Sequence, residues 1–200
     1  MADLPDGPWL IVLAGPNGAG KSTFFDVFLR SRGFRFVNAD LIARSLPSDD
    51  RAEAAYRAAA LADIERRALV ARGDTFVMET VFSDPAGAKL DFLHDARSRG
   101  YRVAFVYVGL ANAALSQARV IQRIGQGGHD VPDDKIRTRW PRSLANAKRA
   151  LQFVDAGWVL DNSDADHPFR LVATTRAGTV RHILPSVPQW CRRILPGTHH

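Results

Sequence analysis

Gly15-Pro16-Asn17-Gly18-Ala19-Gly20-Lys21-Ser22-Thr23 is the stretch from which the rest of this chain is read. It fits G-x-x-x-x-G-K-[ST], and its flanks give the match its weight: an apolar β-type run, Trp9 to Ala14, leads in, and an amphipathic helical run, Ser22 to Arg30, leads out. Strand, glycine loop and helix in that order form a phosphate-binding turn. The glycines let backbone N–H groups face phosphate oxygens, and the helix starting at Lys21 adds its positive dipole end at the same point. Lys21 then reaches the β and γ phosphates of a nucleoside triphosphate, and the Ser22 hydroxyl ligates Mg²⁺. A glycine turn with an accidental lysine would not need both flanks. A dinucleotide fold is the other rival, and Asp40 lies where its ribose-binding acid would fall. The glycines, however, run G-x-x-G-x-G, the reverse of G-x-G-x-x-G.

The bulk composition agrees with one folded unit around that loop. A chain of 200 residues, 46% hydrophobic and 24% charged, is long enough for one well-buried α/β domain and short for two. The reading is therefore a single domain over 1–200 with its core at 9–163. Apolar runs such as Trp9 to Ala14 fall far short of the ~20 residues a membrane span requires, and residues 1 to 8 carry Asp3 and Asp6 instead of a basic, then apolar, leader. A cytoplasmic protein with no membrane partner is expected. Cys191 alone forms neither an internal disulfide nor a cysteine metal cluster. The net charge is +6, and only four of the 27 basic residues are lysine. An arginine-rich balance suits bidentate phosphate recognition and keeps nucleic acid open as a partner, although the arginines are scattered and do not interleave with aromatics.

Away from the loop the pattern alternates. Phe34 to Val37 reads as a second strand, Arg51 to Arg72 as a long alanine-rich helix with Tyr56, Ala60 and Ile64 repeating on one face, and Thr75 to Val81 as a buried third strand. Pro85 to Ser98 is helical, Tyr101 to Gly109 is a fourth strand, and helices over 111–124 and 133–153 enclose the loop Gly125 to Pro132. Trp158 to Leu160 is a short fifth strand. This alternation predicts an α/β fold of the phosphate-loop NTPase type, with a mostly parallel five-stranded sheet wrapped by helices on both faces. Phe169 to Thr175 and Thr179 to Leu184 then form a C-terminal β-hairpin, and a short helix at 188–194 follows. The hairpin is expected at the sheet's edge.

Ligands on an open parallel sheet collect at the C-terminal ends of its strands. The polar residues fall there: the phosphate loop, Asp40 after the second strand, Glu79-Thr80 on the third, and Asp161-Asn162 after the fifth. Asp40 is either a cleft acid or the N-cap of a short helix, Leu41 to Leu46. Glu79, among Val77, Met78, Val81 and Phe82, needs a partner that Mg²⁺ through water or a substrate hydroxyl would supply. Thr80 and Arg44 join it as substrate contacts. Phosphoryl transfer calls for arginines on a mobile element. Arg119 and Arg123 are four apart on one helical face just before Gly125 to Gly128, which predicts a hinged lid over about 119–134. Arg137, Arg139 and Arg142 follow, equally consistent with a solvated helix. His129, in the glycine loop, contacts nucleotide or is merely exposed, and Asn162 or Asp161 is placed near an adenine ring by position. Transporter-type ATPases share the loop, but their serine-glycine-glycine-glutamine signature and Asp-Glu strand end are missing from this sequence.

Taken together, Gly15 to Thr23, Asn38-Ala39-Asp40, Glu79-Thr80, Ala118-Arg119-Val120 to Arg123, Gly127-Gly128-His129-Asp130-Val131-Pro132 and Asp161-Asn162-Ser163 resemble the zeta-toxin-like phosphate-loop kinases, in their short bacterial branch. The resemblance covers about residues 9 to 163, while the segment from 41 to 75 departs from the toxin pattern. It implies ATP and Mg²⁺ as cofactors, and phosphorylation of a sugar hydroxyl of UDP-N-acetylglucosamine. It further implies Asp40 as the base, Lys21 as the phosphate-loop lysine, Arg119 and Arg123 in the lid, and an antitoxin protein as partner. The expected function is an ATP-dependent kinase acting on a small-molecule hydroxyl. A kinase of nucleic-acid ends and a non-catalytic ATP-binding switch are the alternatives.

Overall fold

The computed structural model describes residues 6–47, 50–125 and 131–197, and Arg51 through its backbone only. β1 (Trp9–Ala14) is buried along its whole length, because it has a parallel neighbour on each side: β3 (Phe76–Thr80) and β4 (Arg102–Gly109). β2 (Arg35–Val37) adds beyond β3 and β5 (Ala156–Asp161) beyond β4, both parallel. β6 (Arg170–Arg176) and β7 (Thr179–Ile183) then continue antiparallel, giving one seven-stranded sheet in the order β2-β3-β1-β4-β5-β6-β7. The expected hairpin thus extends the sheet at the β5 edge.

Side chains along β1 alternate between two cores, as strand geometry requires. Leu10, Val12 and Ala14 face one core, shared with α3 (Arg51–Arg72), α4 (Ala88–Ser98), α6 (Asp133–Leu151) and α7 (Gln189–Arg192). Trp9, Ile11 and Leu13 face the other, with Phe25 and Leu29 after α1 (Lys21–Phe24) and Leu115 of α5 (Ala113–Ile124). Burying each such aliphatic side chain stabilises the fold by about 1.5–3 kcal/mol, so the strand bearing the phosphate loop is firmly anchored on both faces.

Three elements differ from the sequence reading. The helical run after the loop changes pitch: α1 passes into a π turn at Phe25–Leu29 and a 3-10 turn at Arg30–Arg32. Phe25 stacks on Phe36, while Phe24 and Phe28 pack against Phe169. β5 starts at Ala156, earlier than expected, because Gly157 lowers the strand propensity that marks its beginning. In α3 the face that packs is Ala54, Ala58 and Ala62, continuing to Arg66; Tyr56 and Ile64 are 79% and 64% exposed. Small side chains let α3 lie close to α2 (Ala39–Ser45), so alanine is buried and the larger residues turn outward. Among the described residues no helix is long and apolar enough to cross a membrane. Cys191, on α7, is fully buried, and burial pushes its thiol up to about 12.

Candidate active site

The loop Gly15–Gly20 leaves β1 and enters α1 held by its own backbone and by two later elements. The Pro16 carbonyl accepts from the Ala19 N–H at 3.3 Å and from Lys21 Nζ at 3.0 Å. Ser116 of α5, fully buried, donates to the Asn17 carbonyl at 2.6 Å, and Asn162 Nδ2, just past β5, donates to the Ala19 carbonyl at 2.9 Å. A Cβ on Gly18, at φ +71°, would stand 2.9 Å from the Ser116 carbonyl oxygen; one on Gly20, at φ +88°, would stand 2.7 Å from Asn162 Nδ2. Both positions therefore demand glycine for conformation and for close approach. Gly20 occupies the N-cap position and offers no side-chain acceptor, so the first turn of α1 keeps N–H groups directed at the loop's hollow.

A single carboxylate gathers the loop's polar side chains. Glu79 Oε2 accepts from the Ser22 hydroxyl and from Asn38 Nδ2, each at 2.8 Å, while Oε1 lies 3.8 Å from Lys21 Nζ. The Lys21 ammonium, 6% exposed, is held below its ordinary value: burial pushes it down, the Glu79 and Asp40 charges pull it back up, and Arg123 adds to the downward push. A buried lysine whose charge is disfavoured by burial gains from a phosphate brought beside it. The same donor set suits Mg²⁺. A hydroxyl paired with a carboxylate at the loop's end supplies hard oxygen ligands, and Mg²⁺ takes one or two such groups plus waters and phosphate oxygens.

Asp40 is not the helix cap. Asn38 fills that role: its Oδ1 accepts from the Asp40 N–H at 2.7 Å and the Leu41 N–H at 3.3 Å, so α2 starts at Ala39 and Asp40 sits in its first turn. The Asp40 carboxylate is exposed into a cleft of about 340 Å³ beside the loop, which Asn17, Lys21, Glu79, Arg123 and Arg139 also line. The deep wall is basic as well. Arg66, 4% exposed, donates to the Glu79 carbonyl at 3.2 Å and pairs with Asp63 at 2.7 Å, and Lys89 reaches the same carboxylate at 2.6 Å. Burial works against the Asp63 charge, yet Lys89 and Arg66 together hold its carboxyl below the ordinary carboxylate value.

The exit from β3 forms the floor. Thr80 Oγ1 accepts from the Phe82 N–H at 3.0 Å, and buried Phe82 is held at φ +58°. Polar side chains of α6 pin this strained turn: Ser143 donates to the Val81 carbonyl at 2.7 Å, and Asn146 donates to the carbonyls of Phe82 and Asp84 at 3.1 and 2.9 Å.

The structure thus brings Lys21, Asp40, Glu79, Thr80 and Arg123 to one cleft, with Ser22 joined to it through Glu79. Arg119, on the same face of α5, turns the other way along the loop and donates to the Ser163 carbonyl at 3.5 Å. Thr23 is exposed on α1. Both ends of the Asn162 amide are engaged, with Ala19 and with the Phe169 N–H, so it braces the loop from behind. Arg44, exposed one turn beyond Asp40 on α2, does not line the cleft. Of Arg137, Arg139 and Arg142 on α6, Arg139 lines the cleft, whereas Arg142 folds back to the Thr138 carbonyl and Arg137 is exposed. His129 and most of the glycine loop lie outside the described residues. Asn38, Arg66, Lys89 and Ser116 were not expected. The signal that could have found Arg66 is its place at the end of the i, i+4 run Ala54, Ala58, Ala62, a different face from the one read above.

Comparison with known proteins agrees with this architecture. An AAA domain family (AAA_33) matches residues 10–148. A chain of the AvrRxo1-ORF1:AvrRxo1-ORF2 complex with sulphate ions superposes with a TM-score of 0.72 at 16% identity, over 96% of this chain and 65% of that one. A chain from the PezAT toxin-antitoxin system of Streptococcus pneumoniae gives 0.66 at 15% identity, over 86% and 72%. A chain of the Pnkp1/Rnl/Hen1 RNA repair complex gives 0.55 at 21%, over 74% of this chain and 48% of that one. The chain therefore spans less than two thirds of the first and third of these. At such identities the likeness is one of fold. No curated protein matches the chain.

Proposed function

We propose that this chain, which belongs to the AAA_33 family of AAA domains, is an ATP-dependent phosphotransferase that moves the γ-phosphoryl group to a hydroxyl of a small molecule. The observation that carries the reading is the sharing of one cleft by the loop lysine Lys21, the exposed carboxylate of Asp40 and the guanidinium of Arg123. Lys21 and the loop N–H groups bind the β and γ phosphates. The Ser22 hydroxyl and, through water, Glu79 would hold Mg²⁺, which when bound neutralises charge on the phosphate oxygens. Asp40 orients the acceptor hydroxyl and takes its proton as the acceptor oxygen bonds to the γ phosphorus and the bond from that phosphorus to the β–γ bridging oxygen breaks, releasing ADP. Arg123 faces the charge that spreads over the transferring group; an arginine so placed is worth about 10³- to 10⁵-fold in rate. Glu79, Thr80 and the wall of Arg66, Lys89 and Arg139 would bound the acceptor. Arg119 and Asn162 would keep the nucleotide end of the loop in shape.

UDP-N-acetylglucosamine is the leading acceptor, on the resemblance to zeta-toxin-like kinases, and that resemblance also carries an antitoxin as partner. The test is incubation with ATP labelled at the γ position and a panel of nucleotide sugars, simple sugars, small alcohols and oligonucleotides. Label on a nucleotide sugar is the expected result. Label only on oligonucleotide ends would move the reading to a nucleic-acid kinase, and ATP binding with no labelled product from any acceptor would leave a nucleotide-binding switch.

A further inference from the structure

Asn38 is 5% exposed and uses both ends of its side-chain amide. Its oxygen caps α2 at the Asp40 and Leu41 N–H groups, at 2.7 and 3.3 Å, and its nitrogen donates to Glu79 Oε2 at 2.8 Å. Capping needs only the oxygen, and serine or aspartate serves as well. Holding a carboxylate at the same time needs a donor: aspartate has none when ionised, and a serine or threonine hydroxyl would have to donate from the very atom that caps, one bond nearer the backbone, whereas asparagine presents a separate N–H₂. Resting on the phosphotransfer reading above, we propose that Asn38 is a positioning residue. One amide fixes the carboxylate on the metal side, Glu79, relative to the helix turn that presents the proton-accepting carboxylate, Asp40.

Two features give this arrangement chemical content. Glu79 Oε2 has two donors, Ser22 and Asn38, and only Ser22 would turn away toward a cation; Asn38 would then hold the carboxylate alone, with Oε1 still facing Lys21 at 3.8 Å. The amide is also neutral, so it orients Glu79 without taking up its charge. Groups that orient a metal-side ligand are typically worth about 10- to 100-fold in metal affinity or activity.

The experiment uses Asn38→Ser and Asn38→Thr, which keep a capping oxygen and remove the amide N–H₂ that reaches Glu79. ATP binding is measured by calorimetry with Mg²⁺ and with EDTA, transfer is titrated against Mg²⁺, and thermal unfolding is recorded. Both variants are expected to melt within about 4 °C of the parent and to bind ATP normally in EDTA. Their Mg²⁺ requirement should rise about tenfold or more and their kcat fall about 10- to 100-fold. In a Glu79→Gln background Asn38→Ser should then add nothing, because its effect runs through Glu79. The proposal is overturned if kcat and Mg²⁺ dependence stay within about twofold of the parent, if the Asn38→Ser effect persists undiminished beside Glu79→Gln, or if melting temperature and EDTA binding collapse in both variants, which would make Asn38 a residue that holds the fold and no more. A parent chain that binds no ATP with Mg²⁺ would overturn the phosphotransfer reading itself.

Discussion

Asn162 Nδ2 lies 2.9 Å from the carbonyl oxygen of Ala19, tying the end of β5 to a loop 143 residues earlier in the chain. The other end of the same amide accepts from the Phe169 N–H at 3.1 Å, so one buried side chain joins the phosphate loop to the entry of β6. Asn162→Ala would take the side-chain partner from a buried carbonyl and from a partly buried N–H. Each such loss costs about 1–3 kcal/mol. Denaturant melts should show that destabilisation, and calorimetry should show weaker ATP binding in the same variant.

Asp40→Asn separates proton transfer from folding. Because Asn38 caps α2, the change leaves the cap intact and removes a first-turn charge, worth about 0.3–1 kcal/mol against the helix dipole, together with its attraction for Lys21. Melting temperature and ATP affinity should stay close to the parent, while transfer falls by about 10²- to 10⁴-fold. Steady-state kinetics with the acceptor found in the labelling panel checks this. Full activity in Asp40→Asn would show that the carboxylate takes no part.

Lys21→Met is expected to abolish stabilisation by ATP and to raise the stability of the nucleotide-free protein. A lysine whose folded pKa lies below its ordinary value costs stability wherever it is charged in both states, and the cost disappears as pH rises through the folded value toward that of the unfolded chain. The advantage of Lys21→Met in urea melts should accordingly be present at neutral pH and shrink in the alkaline range. A loss of stability on removing Lys21 would mean that its attraction to Glu79 outweighs burial.

Asp63 carries the opposite sign. Its carboxyl is held below 3.8 by Lys89 and Arg66 against the effect of burial, so its contribution is present above that value and is lost as pH falls through the lower, folded value. With the Asp63 side chain 48% exposed, solvent screens much of the attraction, and Asp63→Asn should cost about 1–2 kcal/mol at neutral pH. The gap between parent and variant should close in strongly acidic buffer, which urea melts at several pH values would reveal.

The frame around the loop was legible because its signals are local. Glycine spacing dictates the turn, alternation dictates a strand with two cores, and polar residues mark the ends of the parallel strands. What needed the fold was the choice between neighbouring positions that look alike. Asn38 and Asp40 are both good capping residues, and only the start of α2 at Ala39 decides that Asn38 caps while Asp40 faces the cleft. In α3, hydrophobicity favoured Tyr56 and Ile64, but distance to the next helix decides burial, and the alanines allow the closer approach. The Lys89–Asp63 pair joins residues 26 apart with no periodic signal between them. Arg119 and Arg123 share a helical face, yet the loop lies between their ends, so one meets Ser163 and the other the cleft.

The single thiol of the chain provides a built-in timer. Cys191 is fully buried on the last helix, and burial together with the Asp161 charge keeps it protonated through the whole working pH range. A maleimide or disulfide reagent therefore meets neither access nor a reactive sulfur until α7 lifts from the sheet. The labelling rate should report the opening of that terminal segment, and comparing it with and without ATP would reveal whether filling the loop at one end of the sequence slows detachment at the other.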